Sequence, residues 1–128
     1  MKRDPRLQGL SSEHHQALVL ARALEAGRAV PDLAARFAAE LEPHFQIEED
    51  VLLPALAAAG EAALVRRTLD DHAALRALAA DPASGVAFGR RLREHVRFEE
   101  RELFPACKAR LDDATLEEIA ARRPRPRG

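Results

Sequence analysis

Apolar residues recur along this chain at intervals of three and four, the spacing that lays a stripe along one face of an α-helix, and glycine or proline breaks divide them into four long runs. The first run opens after Ser11 and Ser12, which read as an N-cap ahead of Glu13, and stops at Gly27, predicting a helix over about 11–26. Pro31 and Asp32 open the second, whose apolar positions Leu33, Phe37, Leu41, Phe45, Leu52 and Leu56 continue to Gly60. Pro43 inside it removes a backbone hydrogen bond and predicts a bend, and Pro54 predicts a separate last turn. The third runs from about Glu61 to Ala80, with Leu64, Val65, Leu69, Leu75 and Leu78 as its inner stripe. The fourth carries Val86, Phe88, Leu92, Val96, Phe98 and Leu103, and has Pro105 where the second has Pro54. A short fifth helix over about 114–122 is expected to pack outside the others. Short connections make sequence neighbours antiparallel. The expected fold is therefore all-α, an up-down-up-down antiparallel four-helix bundle with a short C-terminal fifth helix, spanning 1–122. A basic tail, 123–128, should fray into solvent.

Composition narrows this picture. At 128 residues the chain fits one domain, and its wealth of Ala, Leu, Glu and Arg favours helix almost throughout. Twenty Lys and Arg against 21 Asp and Glu leave a net charge of −1, so nothing global points to nucleic acid or a membrane surface. No apolar run approaches the roughly 20 residues that cross a bilayer. The single cysteine, Cys107, cannot form an internal disulfide and reads as a packed small hydrophobe; with no apolar leader visible, a soluble protein of the reducing cytoplasm is expected. The absence of Tyr excludes tyrosyl-radical chemistry.

An internal repeat carries the candidate chemistry. His44, Glu48, Glu49, Pro54 and Ala55 return 51 positions later as His95, Glu99, Glu100, Pro105 and Ala106. Four helical residues come back to within about 40° of the same direction, so each His shares a face with the Glu four positions on. Glu49 and Glu100, five positions on, turn away by about 140° and are expected at the solvent side or behind the ligands, not on a metal. The first and third helices contribute His14 and His72, each preceded by an acidic residue, Glu13 or Asp71. Midpoints between successive histidines fall at 29, at 58 and between 83 and 84, each at or beside a predicted turn, so four imidazoles reach one level of the bundle. The first helix leaves a choice. His14 shares a face with Leu7, Leu10, Ala17, Leu18 and Ala21, and His15 with Ser11, Ser12, Leu18, Val19 and Arg22; the more apolar setting favours His14, with His15 the alternative.

A single histidine on an apolar face is ordinarily a hydrogen-bonded core residue, and a lone glutamate is ordinarily solvated. Four imidazoles and two carboxylates at one level of an apolar bundle are another matter, because burying them unpaired is very costly. A metal resolves the conflict.

The arrangement H…HxxxE…H…HxxxE, with its doubled glutamates and its Leu-x-Pro endings, resembles the HHE branch of the hemerythrin-like family over roughly residues 10–106. The resemblance implies a non-haem di-iron site in which Glu48 and Glu99 bridge two ions, His14, His44, His72 and His95 supply terminal nitrogens, and open positions remain for water, an oxo or hydroxo bridge, or a diatomic gas such as O₂ or NO. Mixed nitrogen and oxygen donors suit iron, with zinc a possible substitute. Classical oxygen carriers of the family place HxxxH and HxxxxD where this chain has neither, and Glu99 stands where a nitrogen donor would fall. The extra negative charge favours ferric iron and weighs against reversible O₂ carriage. Expected functions are binding or sensing of O₂ or NO, or iron handling in oxidative or nitrosative stress. The alternatives are a di-iron enzyme turning over peroxide or NO or donating iron for repair, and a structural bundle holding zinc or no metal.

Overall fold

The structure is a computed structural model describing residues 4–81 and 83–123, so the basic tail lies outside the described residues beyond Arg123. Among the described residues five helices follow one another, with no strand and no helix long and apolar enough to cross a membrane. Helix α1 spans Gln8–Glu25 and is led in by a 3₁₀ turn, Pro5–Leu7. It starts earlier than Ser11 because Asp4, followed by Pro5, is the stronger N-terminal signal: its carboxylate accepts the Arg6 N–H at 2.9 Å, and proline suits a first helical position. Ser11 is thus an interior helical residue, not a cap. The stop at Gly27 holds, with φ of 76°.

Helix α2 covers 33–58 and begins on Asp32, whose side chain accepts the Ala35 N–H. It runs unbroken as alternating α and π turns, the π segments being Phe37–Leu41 and Glu48–Leu52. Pro43 and Pro54 each lie in the first α turn after a π segment. Proline cannot donate to a carbonyl four residues back, and a widened turn just ahead of it lets the helix continue. Pro54 therefore does not open a separate turn. Helix α4, covering 85–110, repeats the device, with a π segment at Glu99–Leu103 ahead of Pro105.

Helix α3, Ala62–Ala79, buries Thr68, Asp71, His72, Leu75 and Ala79, while Leu69, one position off that face, is 43 % exposed. Val86 near the start of α4 is also exposed, against the stripe expected for it. Helix α5, Asp113–Arg122, is capped by Asp112. It does not sit outside the core: Leu116 and Ile119, three apart on one face, are buried with Leu7, Val51 and Phe104.

Apolar burial forms two clusters. One, around Leu10, Leu52, Leu56, Leu103 and Ile119, fills the end of the molecule covered by α5; the other, around Leu20, Phe37, Phe45, Leu75, Phe88 and Leu92, fills the opposite end. A polar layer lies between them. The most extensive helix packing is α1 against α4, and it is close enough that Gly89 faces the backbone of α1.

A methyl group at Gly89 meets the Ala21 carbonyl oxygen at 2.7 Å and Leu24 Cβ at 2.9 Å, atoms that cannot step aside without moving a helix. Gly89→Ala should cost about 1–3 kcal/mol of stability in denaturant unfolding. Gly85→Ala, whose Cβ meets Leu24 Cδ2 at an ordinary 3.5 Å, should cost nothing measurable.

Candidate metal centre

The polar layer contains all six residues singled out by spacing. His14 from α1, His44 and Glu48 from α2, His72 from α3, and His95 and Glu99 from α4 are all buried, with Glu48, His72 and Glu99 fully so. Of the two adjacent histidines in α1, His14 is buried in this layer and His15 is exposed. The donor atoms form two overlapping sets within which all lie within 4.8 Å of one another: His14, His44, Glu48 and Glu99, and Glu48, His72, His95 and Glu99. Both glutamates belong to both sets. His14 Nε2 meets Glu99 Oε1 at 2.8 Å, and His72 Nε2 meets Glu48 Oε1 at 3.0 Å. His44 Nε2 lies between the two carboxylates, 3.2 Å from Glu48 and 3.5 Å from Glu99.

Each histidine is held from behind by a carboxylate on its Nδ1. Glu13 of α1 meets His44 of α2 at 3.1 Å, and Glu49 of α2 meets His72 of α3 at 2.6 Å. Asp71 of α3 meets His95 of α4 at 2.9 Å, and Glu100 of α4 meets His14 of α1 at 2.6 Å, closing a directed ring around the bundle. An ionised carboxylate only accepts, so Nδ1–H donates to it and Nε2 is turned inward. The carboxylates are themselves anchored. Arg123 holds Glu13, Arg76 holds Glu49, Arg67 and Arg91 hold Asp71, and the Ser11 hydroxyl donates to Glu100. Glu49 and Glu100 thus stand where their rotation by five residues put them, behind the ligands. The parts played by Glu13 and Asp71 were not read from the sequence, although an acidic residue directly before each lone-helix histidine was the signal for them.

Burial works against a charge on these rings, and the carboxylates outweigh it. His95 is pushed up to about 10 by the charge of Glu99 and its hydrogen bond to Asp71. His44 is raised well above its ordinary value by Glu48 and Glu13, and His14 is raised by Glu100 and Glu99. Glu99 is likewise buried, yet the charge of His95 and hydrogen bonds shared with Glu48, His14 and His44 hold it well below the usual carboxylate range. Burial, with Glu48 and Glu99 nearby, pushes the Cys107 thiol up, and Cys107 belongs to neither donor set.

A cation fits what the layer leaves unsatisfied. His95 Nε2 and Glu99 Oε2, 3.4 Å apart, are buried with no hydrogen-bond partner. Each such orphan costs about 1–3 kcal/mol. A metal ion satisfies both, and a set of imidazole and carboxylate donors without thiolate suits iron or zinc.

The Hemerythrin family model, described as the hemerythrin HHE cation binding domain, matches residues 6–107. No curated protein and no solved structure matches the chain.

Two outcomes test this arrangement. Glu48→Ala and Glu99→Ala should remove bound metal, because each takes a donor from both sets. Glu13→Ala, Glu49→Ala, Asp71→Ala and Glu100→Ala should instead weaken affinity about 10- to 100-fold while keeping full content at saturating metal. Metal titration with elemental analysis distinguishes these, and equal losses across all six variants overturn the assignment. The second concerns pH. In the metal-free protein His95, with its pKa raised from 6.5 to about 10, contributes stability that is fully present below pH 6.5 and lost as pH climbs to about 10. Metal-free protein should therefore melt lower at pH 10 than at pH 7. Bound metal, which needs neutral imidazole, should abolish that loss and be stripped by acid instead.

Proposed function

The chain belongs to the hemerythrin HHE cation-binding family, and on that premise we propose that it is a non-haem di-iron protein that binds or senses O₂ or NO, or handles iron under oxidative or nitrosative stress. In this reading the four long helices run up, down, up and down. His14, His44, His72 and His95 would hold the iron through nitrogen, and Glu48 and Glu99 would hold it through carboxylate oxygens. The observation that carries it is the membership of both glutamates in both donor sets, which suits two ions side by side better than one. Bound iron supplies Fe²⁺/Fe³⁺ redox chemistry and open positions for a diatomic molecule. The protein's own residues do the rest. The four outer carboxylates fix the imidazole tautomers, the apolar clusters on either side exclude water, and the two inner carboxylates place negative charge where it favours the ferric state.

Reconstitution of metal-free protein with iron should give about two irons per chain by elemental analysis, and one or fewer after full loading overturns the dinuclear reading. Iron must be supplied before this is judged, since zinc outcompetes ferrous iron for such donors. With no Trp or Tyr, the chain leaves the near ultraviolet nearly clear for ferric charge-transfer bands. Anaerobic reduction should bleach these bands and O₂ should restore them irreversibly. Return of the reduced spectrum under vacuum would mean O₂ carriage and overturn the oxidation reading.

A further inference from the structure

Two cavities adjoin along α1 and α2. The outer one is a groove of about 270 Å³ bordered by Glu13, Arg36, Ala39, Glu40, Leu41 and Arg123. The inner one is a cleft of about 10 Å³ reaching His14, His44, His95 and Glu99. Glu13, Ala17, Glu40 and Leu41 line both. A water molecule's share of the liquid is about 30 Å³, so the groove has room for a divalent cation with roughly six waters, whereas the cleft is too narrow for a hydrated ion. Two carboxylates mark the way, each closed by a guanidinium. Arg36 holds Glu40 at 2.6 Å at the outer rim, and Arg123 holds Glu13 at 3.2 Å at the throat, on the same oxygen that meets His44 Nδ1. At the inner end stand the buried His95 Nε2 and Glu99 Oε2, 3.4 Å apart and without a hydrogen bond.

We propose that this groove is the route by which metal ions reach the centre, with Glu40 and Glu13 receiving the hydrated divalent cation and Arg123 gating the throat. The inference rests on the metal-binding reading and adds to it a path and a gate. A divalent ion competes with a guanidinium for a carboxylate on favourable terms, because it brings twice the charge at a shorter distance. At the throat the ion must shed water, and Glu13, His14 and His44 are the polar groups that stand there to replace it. Arg123 closes α5, beyond the stretch 6–107 that matches the family. The gate is held in place by the docking of Leu116 and Ile119 in the core.

The test is the rate of cobalt(II) uptake by the metal-free full-length chain, followed by visible absorption in a stopped-flow instrument, with final content from elemental analysis. Arg123→Ala should load about tenfold faster, since it removes a positive charge from the throat and frees a carboxylate. Ala39→Trp and Gln16→Trp place an indole in the groove from α2 and from α1 at exposed positions, and each should slow loading about tenfold. Leu69→Trp, beside a groove of α3 that shares no residue with the site, should load at the unaltered rate. Final content should be the same in all four. Unaltered rates in both groove variants overturn the route, and an unaltered rate in Arg123→Ala overturns the gate, while in either case full content leaves the metal centre standing. A native chain that takes up neither cobalt(II) nor ferrous ion overturns the metal-binding reading and this route with it.

Discussion

The closed ring of carboxylate–imidazole bonds is the constraint around which the molecule is arranged. Each of the four long helices gives an acid to the next and takes one from the helix before, from Glu13 on His44 to Glu100 on His14. Such a ring forms only when all four helices stand at one level, since a slip of one residue turns a side chain by about 100°. Apolar packing alone is more permissive, because hydrophobic contacts are not directional. The two apolar clusters supply the burial, and the polar layer between them sets the register.

The π turns answer the same constraint. Glu48 and Glu99, the two carboxylates common to both donor sets, are each the first residue of a π segment, and each segment ends just before the residue preceding a proline. The widened turn thus serves two demands. It accommodates Pro54 or Pro105 without ending the helix, and it follows directly on the residue whose placement matters most to the site. That both halves of the chain solve the problem identically, 51 positions apart, is what an internal repeat predicts when the requirement is geometric.

What was legible in the sequence depended on periodicity. Four helices, a fifth short one, the inward face of His44 with Glu48 and of His95 with Glu99, and the meeting of four histidines at one level all follow from counting residues. The rest depended on tertiary context. Ser11 looks like a cap until Asp4 is seen to start the helix, and then its hydroxyl finds Glu100 across the α1–α4 contact. Leu69 looks like core because leucine usually is, but α3 turns Thr68, Asp71 and His72 inward to meet the polar layer and leaves Leu69 outside. Helix α5 reads as peripheral because it carries little apolar surface, yet its two apolar residues close the end of a cluster that the four long helices leave open. Glu13 and Asp71 are acidic residues on helices rich in them, and only the neighbouring helix gives them a task.

The balance of charge in the layer ties stability to metal. Arg123, Arg76, Arg67 and Arg91 pair with the outer carboxylates Glu13, Glu49 and Asp71, which leaves the inner pair, Glu48 and Glu99, to be compensated from within. In the metal-free protein the imidazoles stand against these carboxylates, and the raised proton affinities of His14, His44 and His95 are the consequence. Protons and metal ions then compete for one inward charge. The protons satisfy it incompletely, since His95 Nε2 and Glu99 Oε2 still lack partners. An ion placed among the Nε2 atoms and the carboxylate oxygens releases those protons, supplies the missing partner and leaves the outer ring undisturbed, because that ring is built on Nδ1. The scaffold can therefore be complete before the ion arrives, which separates holding the bundle in register from holding the metal.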